Sequence, residues 1–171
     1  MNKIVWQNIG RFILLMLVQL LVLNYINIGG YIMPMLYVLF VLMLPTDTPR
    51  VAMLFIAFGT GLLMDVMNNM LGFHALACIV VVMLRILFAD RILTRGEPIA
   101  ISTPSVYSVS PQYFIAYLLL LTTAFYLVFF FTELFGFRSL GGLLVATVGS
   151  SIVTSLLAIL YQLIFIKREE I

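Results

Sequence analysis

Charge is scarce in this chain. Of its 171 residues only 9% are Asp, Glu, Lys or Arg, against about a quarter in an ordinary soluble domain. So few charges cannot cover a water-facing surface. Histidine and cysteine are rarer still, with one of each, His74 and Cys78. One cysteine excludes an intramolecular disulfide. A metal site usually takes three or four ligands from Cys, His and carboxylates, and here only His74 and Asp65 could lie close together, which is too few for a site. No His-Glu-x-x-His, no Gly-x-Ser-x-Gly and no glycine-rich loop ahead of a Lys occurs, so the common zinc-peptidase, serine-hydrolase and nucleotide-phosphate signatures are missing. An intramembrane aspartyl protease needs two carboxylates sharing a proton, and Asp65 has only the remote Glu133 to share with. The net charge of +2 is too small to point to nucleic acid. These absences predict no metal, no cofactor and no enzyme.

What the chain has is apolar surface. Hydrophobic residues make up 64% of it, and the mean hydropathy is +1.19. The solvent such a chain requires is lipid, and the fold class expected is an all-α membrane bundle. Six apolar stretches can be read, at about 9–26, 31–44, 51–64, 73–89, 113–132 and 140–166. A helix crossing the hydrocarbon takes about 20 apolar residues, with a usual range of about 17–25. The first, fourth, fifth and sixth stretches meet or approach that. The second and third are short and flank Pro45-Thr-Asp-Thr-Pro49, which reads as the turn of a tight helical hairpin. Crossing is preferred to a re-entrant pair, because short spans are accommodated by bilayer thinning or packing.

Six spans put Lys3, Arg11, Arg50, Arg85, Arg91, Arg95, Lys167 and Arg168 on the side of the N-terminus or at a helix end facing it, with Arg138 alone opposite. Lys and Arg excess marks the cytoplasmic face, so both termini are predicted to be cytoplasmic. The first stretch is longer than a usual signal h-region and no Ala-x-Ala site follows it, so it reads as an uncleaved anchor. The whole chain, 1–171, reads as one polytopic domain. Its longest polar segment, 90–112, contains Pro98, Pro104 and Pro111 and reads as an extended cytoplasmic loop. No internal repeat is evident.

Polar residues at membrane depth are the candidates for function. Asp65 ends the third stretch, and its carboxyl either makes an internal or partner contact or caps the turn at the water interface. His74 opens the fourth stretch after Gly72. A His74–Asp65 hydrogen bond locking the hairpin is preferred to a proton relay, since no further relay members appear. Gln19, Asn24 and Asn27 lie on or after the first stretch and read as packing amides, each pair contributing about 0.6 kcal/mol. Gly142, Ala146 and Ser150 make a small-residue stripe spaced by four, with Ser151 and Ser155 beside it, and Ala57 and Gly61 repeat the spacing on the third stretch. Such faces let helices approach closely, inside the bundle or, as the sharper reading, between molecules. Phe125, Tyr126, Phe129, Phe130, Phe131 and Phe135 read as an interfacial aromatic belt.

The run Gly61-Leu-Leu-Met-Asp65, followed by Leu71-Gly72-Phe-His74-Ala-Leu76, resembles the signature region of the bacterial rod-shape-determining MreD family. Total length, the short second and third stretches around a Pro-containing loop, and a basic loop before two long final spans resemble that family too. The resemblance implies a six-transmembrane-helix bundle similar to the substrate-binding subunits of energy-coupling-factor vitamin transporters. It implies a non-enzymatic scaffold of the cell-elongation complex in the cytoplasmic membrane, supporting cell shape and peptidoglycan synthesis. The implied partners are a membrane-anchored MreC-like protein, actin-like MreB and the wall synthases. The rival expectation is a vitamin-type substrate-binding subunit. Those subunits dock through an Ala-x-x-x-Ala-like face on the first helix, and residues 9–26 contain no Ala.

Overall fold

The computed structural model describes residues 2–89, 104, 111–133 and 140–165. Helix α1 is Asn2–Leu21, α2 is Val38–Leu42, α3 is Arg50–Asn68, α4 is Phe73–Leu84, α5 is Pro111–Thr132 and α6 is Leu140–Phe165. The regular secondary structure described is helical, with one isolated bridge between Ile28 and Ile32. That bridge closes a turn over Gly29 and Gly30, whose φ values of +66° and +81° favour a residue without Cβ.

Four segments are long and apolar enough to cross a membrane: Trp6–Tyr25, Arg50–Asn68, Pro111–Thr132 and Gly141–Phe165. Among the described residues the fold is thus helical, with four candidate membrane-spanning helices. The fourth predicted stretch forms a shorter apolar helix, α4, extended by a π-helical turn over Arg85–Ala89. The second stretch departs most from expectation. Its only α-helix is the five-residue α2, and residues 33–37 ahead of it are not helical. Pro34 supplies one reason, since proline removes a backbone donor and disfavours helix in the residue before it.

α2 is the hub of the bundle and touches α1, α3, α4 and α5, while α3 packs on α4, α4 on α5 and α5 on α6. Every residue from Met35 to Leu44 is buried. Non-helical backbone survives at membrane depth only when protein satisfies its polar groups, and here side chains from three helices do so. Gln19 of α1 accepts from the Leu36 amide through Oε1 at 2.7 Å and donates to the Pro34 carbonyl at 3.2 Å. Tyr126 of α5 donates to the Met33 carbonyl at 2.8 Å and accepts from the Met35 amide at 2.7 Å. Ser150 and Thr154 of α6 accept from the Met33 and Met35 amides at 3.0 and 3.2 Å.

At the other end of the segment, the Arg85 guanidinium donates to the carbonyls of Val41, at 2.9 Å, and Leu44. Tyr117 donates to that of Leu42 at 2.7 Å. Arg85 is only 3% exposed, so it acts as a buried C-terminal cap for α2, where a cation complements the helix dipole. The sequence counted it among the basic residues on the side of the N-terminus or at a helix end facing it.

One further reading changes. Phe125, Tyr126, Phe129 and Phe130 are at most 1% exposed, so these members of the predicted belt are core. Only Phe131 faces outward, and Phe135 lies outside the described residues. Ala146 and Ser150 are fully buried, and Gly142 is half-buried, so the stripe on α6 packs inward. The neighbouring row joins α6 to α5, with Thr122 Oγ1 3.0 Å from both Ser151 and Ser155. Most of the predicted loop at 90–112 lies outside the described residues.

Tyr126→Phe is expected to destabilise the bundle by roughly 1–3 kcal/mol, because the Met33 carbonyl loses its donor in a buried place. A thermal-shift measurement in detergent checks this, and a midpoint equal to wild type contradicts it.

Candidate functional site

Asp65 sits on the last turn of α3 and is 1% exposed, so the water-interface reading is overturned. Its backbone carbonyl accepts from the Met70 amide at 2.8 Å while the Val66 carbonyl accepts from Asn69 at 3.5 Å. Asn69 has φ +54°. This is the left-handed closure in which a residue past the helix end satisfies the last free carbonyls. The side chain of the same Asp65 then turns to α4. Oδ1 accepts from the His74 amide at 3.0 Å, and Oδ2 from the Ala75 amide at 2.9 Å.

Those amides occupy the positions that an N-cap side chain ordinarily serves. The N-cap residue is Gly72, at φ +91°, and it has no side chain to offer. Asp65 therefore ends one helix through its backbone and starts the next through its carboxyl group. The expected His74–Asp65 hydrogen bond across the hairpin is present, and it is the His74 backbone amide that makes it. Glu133 sits just past α5, where burial raises its carboxyl pKa.

Gly61 makes this geometry possible. A Cβ at this position would lie 2.5 Å from Ala75 Cα, 2.6 Å from Ala75 N and 2.6 Å from the His74 carbonyl oxygen. All three are backbone atoms, so α3 and α4 cross at a distance only glycine permits. Gly61, Asp65, Gly72 and His74 thus meet in one place.

The His74 ring takes a different partner, the Tyr37 hydroxyl, 2.8 Å from Nδ1. It also lies tilted against Phe129, with ring centroids 4.6 Å apart. Tyr37 is fully buried and was not singled out in the sequence. Nothing distinguishes it there from seven other tyrosines.

Beside this ring lies a cavity of about 210 Å³. Gln19, Asn24, Asn27 and Asn68 supply its amides, and Met33, Met35, Met64, Met70 and Phe129 much of its apolar wall. The amides form a chain. Gln19 Nε2 donates to Asn24 Oδ1 at 2.9 Å, and Asn24 Nδ2 donates to Asn68 Oδ1 at 2.9 Å. Gln19 is 2% exposed and acts as the internal amide expected of it. Asn24 adds a tie between the ends of α1 and α3. Among the described residues no group of three or more His, Cys, Asp or Glu could hold a metal ion.

No family model matches this chain, and no curated protein or solved structure matches it. Function must therefore be argued from the site and the surfaces around it.

Proposed function

We propose that this chain is a non-enzymatic membrane scaffold of the MreD kind, working by holding a partner's transmembrane helix against α1. The observation that carries this reading is the state of α1. Among the four long apolar segments it is the least enclosed, with 22% of its window buried against 33%, 50% and 44% in the others. Ile9, Ile13, Leu17 and Leu21, spaced by four, are 42%, 51%, 49% and 69% exposed. A stripe of that spacing is one helical face, and it is rigidly presented because Gln19 on the same helix is bonded into the core. The polar residues that would otherwise invite a catalytic reading are engaged in structure: Asp65 caps α4, and Gln19 and Tyr126 hold the non-helical segment. On this reading the N- and C-termini are cytoplasmic in the inner membrane. The partner is a membrane-anchored MreC-like protein, through which actin-like MreB and the wall synthases are reached.

The second reading, a substrate-binding subunit of a vitamin-type transporter, is favoured by the cavity at His74. The lack of Ala in residues 9–26 weighs against its docking mode.

A photo-crosslinking amino acid at Leu17, expressed in native membranes and read by mass spectrometry, tests the choice. The same group at Phe55, on the 72% exposed side of α3, is the control. An MreC-like adduct from position 17 and not from 55 is expected. A transporter ATPase module, or no protein adduct at 17, refutes the scaffold reading.

A further inference from the structure

We infer that the cavity beside His74 is a binding site for a soft monovalent cation, Cu(I), held by methionine thioethers and the histidine ring. Four of the chain's ten methionines and its only histidine line this one cavity. Met33 and Met35 come from the non-helical segment, Met64 from α3, Met70 from the turn after it and His74 from α4. Packing alone does not call for sulfur at four places on one wall, since leucine fills the same volume with less flexibility. Thioethers are soft ligands that select Cu(I), whereas carboxylates and carbonyls suit hard divalent ions. The lining contains no Asp or Glu, so the site is built for a soft ion of low charge.

The histidine is arranged as a ligand would be. A metal-bound imidazole is commonly held through its other nitrogen by a fixed hydrogen-bond partner. Here Nδ1 is held by the buried Tyr37 hydroxyl at 2.8 Å, which leaves Nε2 for the cavity that the ring lines. The space exceeds what an ion fills, and methionine, with three rotatable bonds, is the side chain able to converge on it. A bound ion would tie the 33–37 segment to α3 and α4, independently of any partner on α1.

The test is an anaerobic titration of the purified full chain in detergent with Cu(I), against a colorimetric Cu(I) chelator, with the thermal midpoint recorded alongside. Retention of one equivalent and a rise in midpoint are expected. Met35→Leu combined with Met64→Leu should weaken retention at least tenfold while the metal-free midpoint stays near wild type. Should that pair fail to fold, Met33→Leu with Met70→Leu, on the half-buried part of the wall, should give the same loss. No retention by wild type, equal retention by a folded double variant, or Zn(II) held as tightly as Cu(I) would each overturn the assignment.

Discussion

Gly61→Val is expected to abolish recovery of folded protein. A Cβ at residue 61 lands 2.5 Å from Ala75 Cα, and neither backbone can rotate aside. Overpacking a core costs about 1–3 kcal/mol when side chains give way. Here α3 and α4 must separate instead, which also draws Asp65 away from the two amides that it satisfies. Set against a total stability of about 5–15 kcal/mol, the combined loss is severe. Gly59→Val, two residues earlier on the same helix, is the contrast, because a Cβ there meets nothing within 4 Å. Size-exclusion chromatography of tagged protein in detergent reads both: a void-volume or absent peak for Gly61→Val and a normal peak for Gly59→Val. A normal peak with an unchanged midpoint for Gly61→Val would show that the crossing is looser than described.

Asp65→Ala is expected to lower the thermal midpoint by roughly 4–24 °C. It leaves the His74 and Ala75 amides unpaired where water does not reach, at about 1–3 kcal/mol for each, and one kcal/mol moves the midpoint about 2–4 °C at this chain length. Asp65→Asn should fall between. Its carbonyl oxygen keeps one amide, and its NH₂ group faces the other donor to donor. This ordering separates a cap from a proton carrier. A proton carrier would lose function equally in Asn and Ala variants while stability held. Equal midpoints for wild type, Asn and Ala would remove the capping role.

Much of the hairpin was legible because its signals are local. Gly72 is an obvious helix boundary, and a carboxyl nine residues before an amide can reach it only if the turn is tight. What sequence could not supply was the direction of the bond, since a histidine after a glycine offers both a ring and a backbone N–H. The helices α1, α3, α5 and α6 were legible from hydropathy, which reports length and composition. Hydropathy does not report whether an apolar run is helical. The stretch at 31–44 therefore read as a span, although residues 33–37 depend on Gln19, Tyr126, Ser150 and Thr154. Two of those partners lie more than 110 residues along the chain. The aromatic residues of α5 misled for a related reason. In a lipid-soluble chain, core and belt have the same composition, and only the packing of α4 on α5 tells them apart. The burial of Arg85 was not legible because a charge count does not see a carbonyl acceptor. The methionines were passed over because sulfur in an apolar run looks like any other filler.

The non-helical segment also sets an order of events during synthesis. Residues 33–37 leave the ribosome long before α5 and α6 exist, and at that moment the Met33 and Met35 amides have neither Tyr126 nor Ser150 nor Thr154 to bond. Bare amides are costly in hydrocarbon, so the polar groups of this stretch are satisfied there only once α5 and α6 are in place. The centre of the bundle is thus contingent on residues more than 110 positions further along the chain.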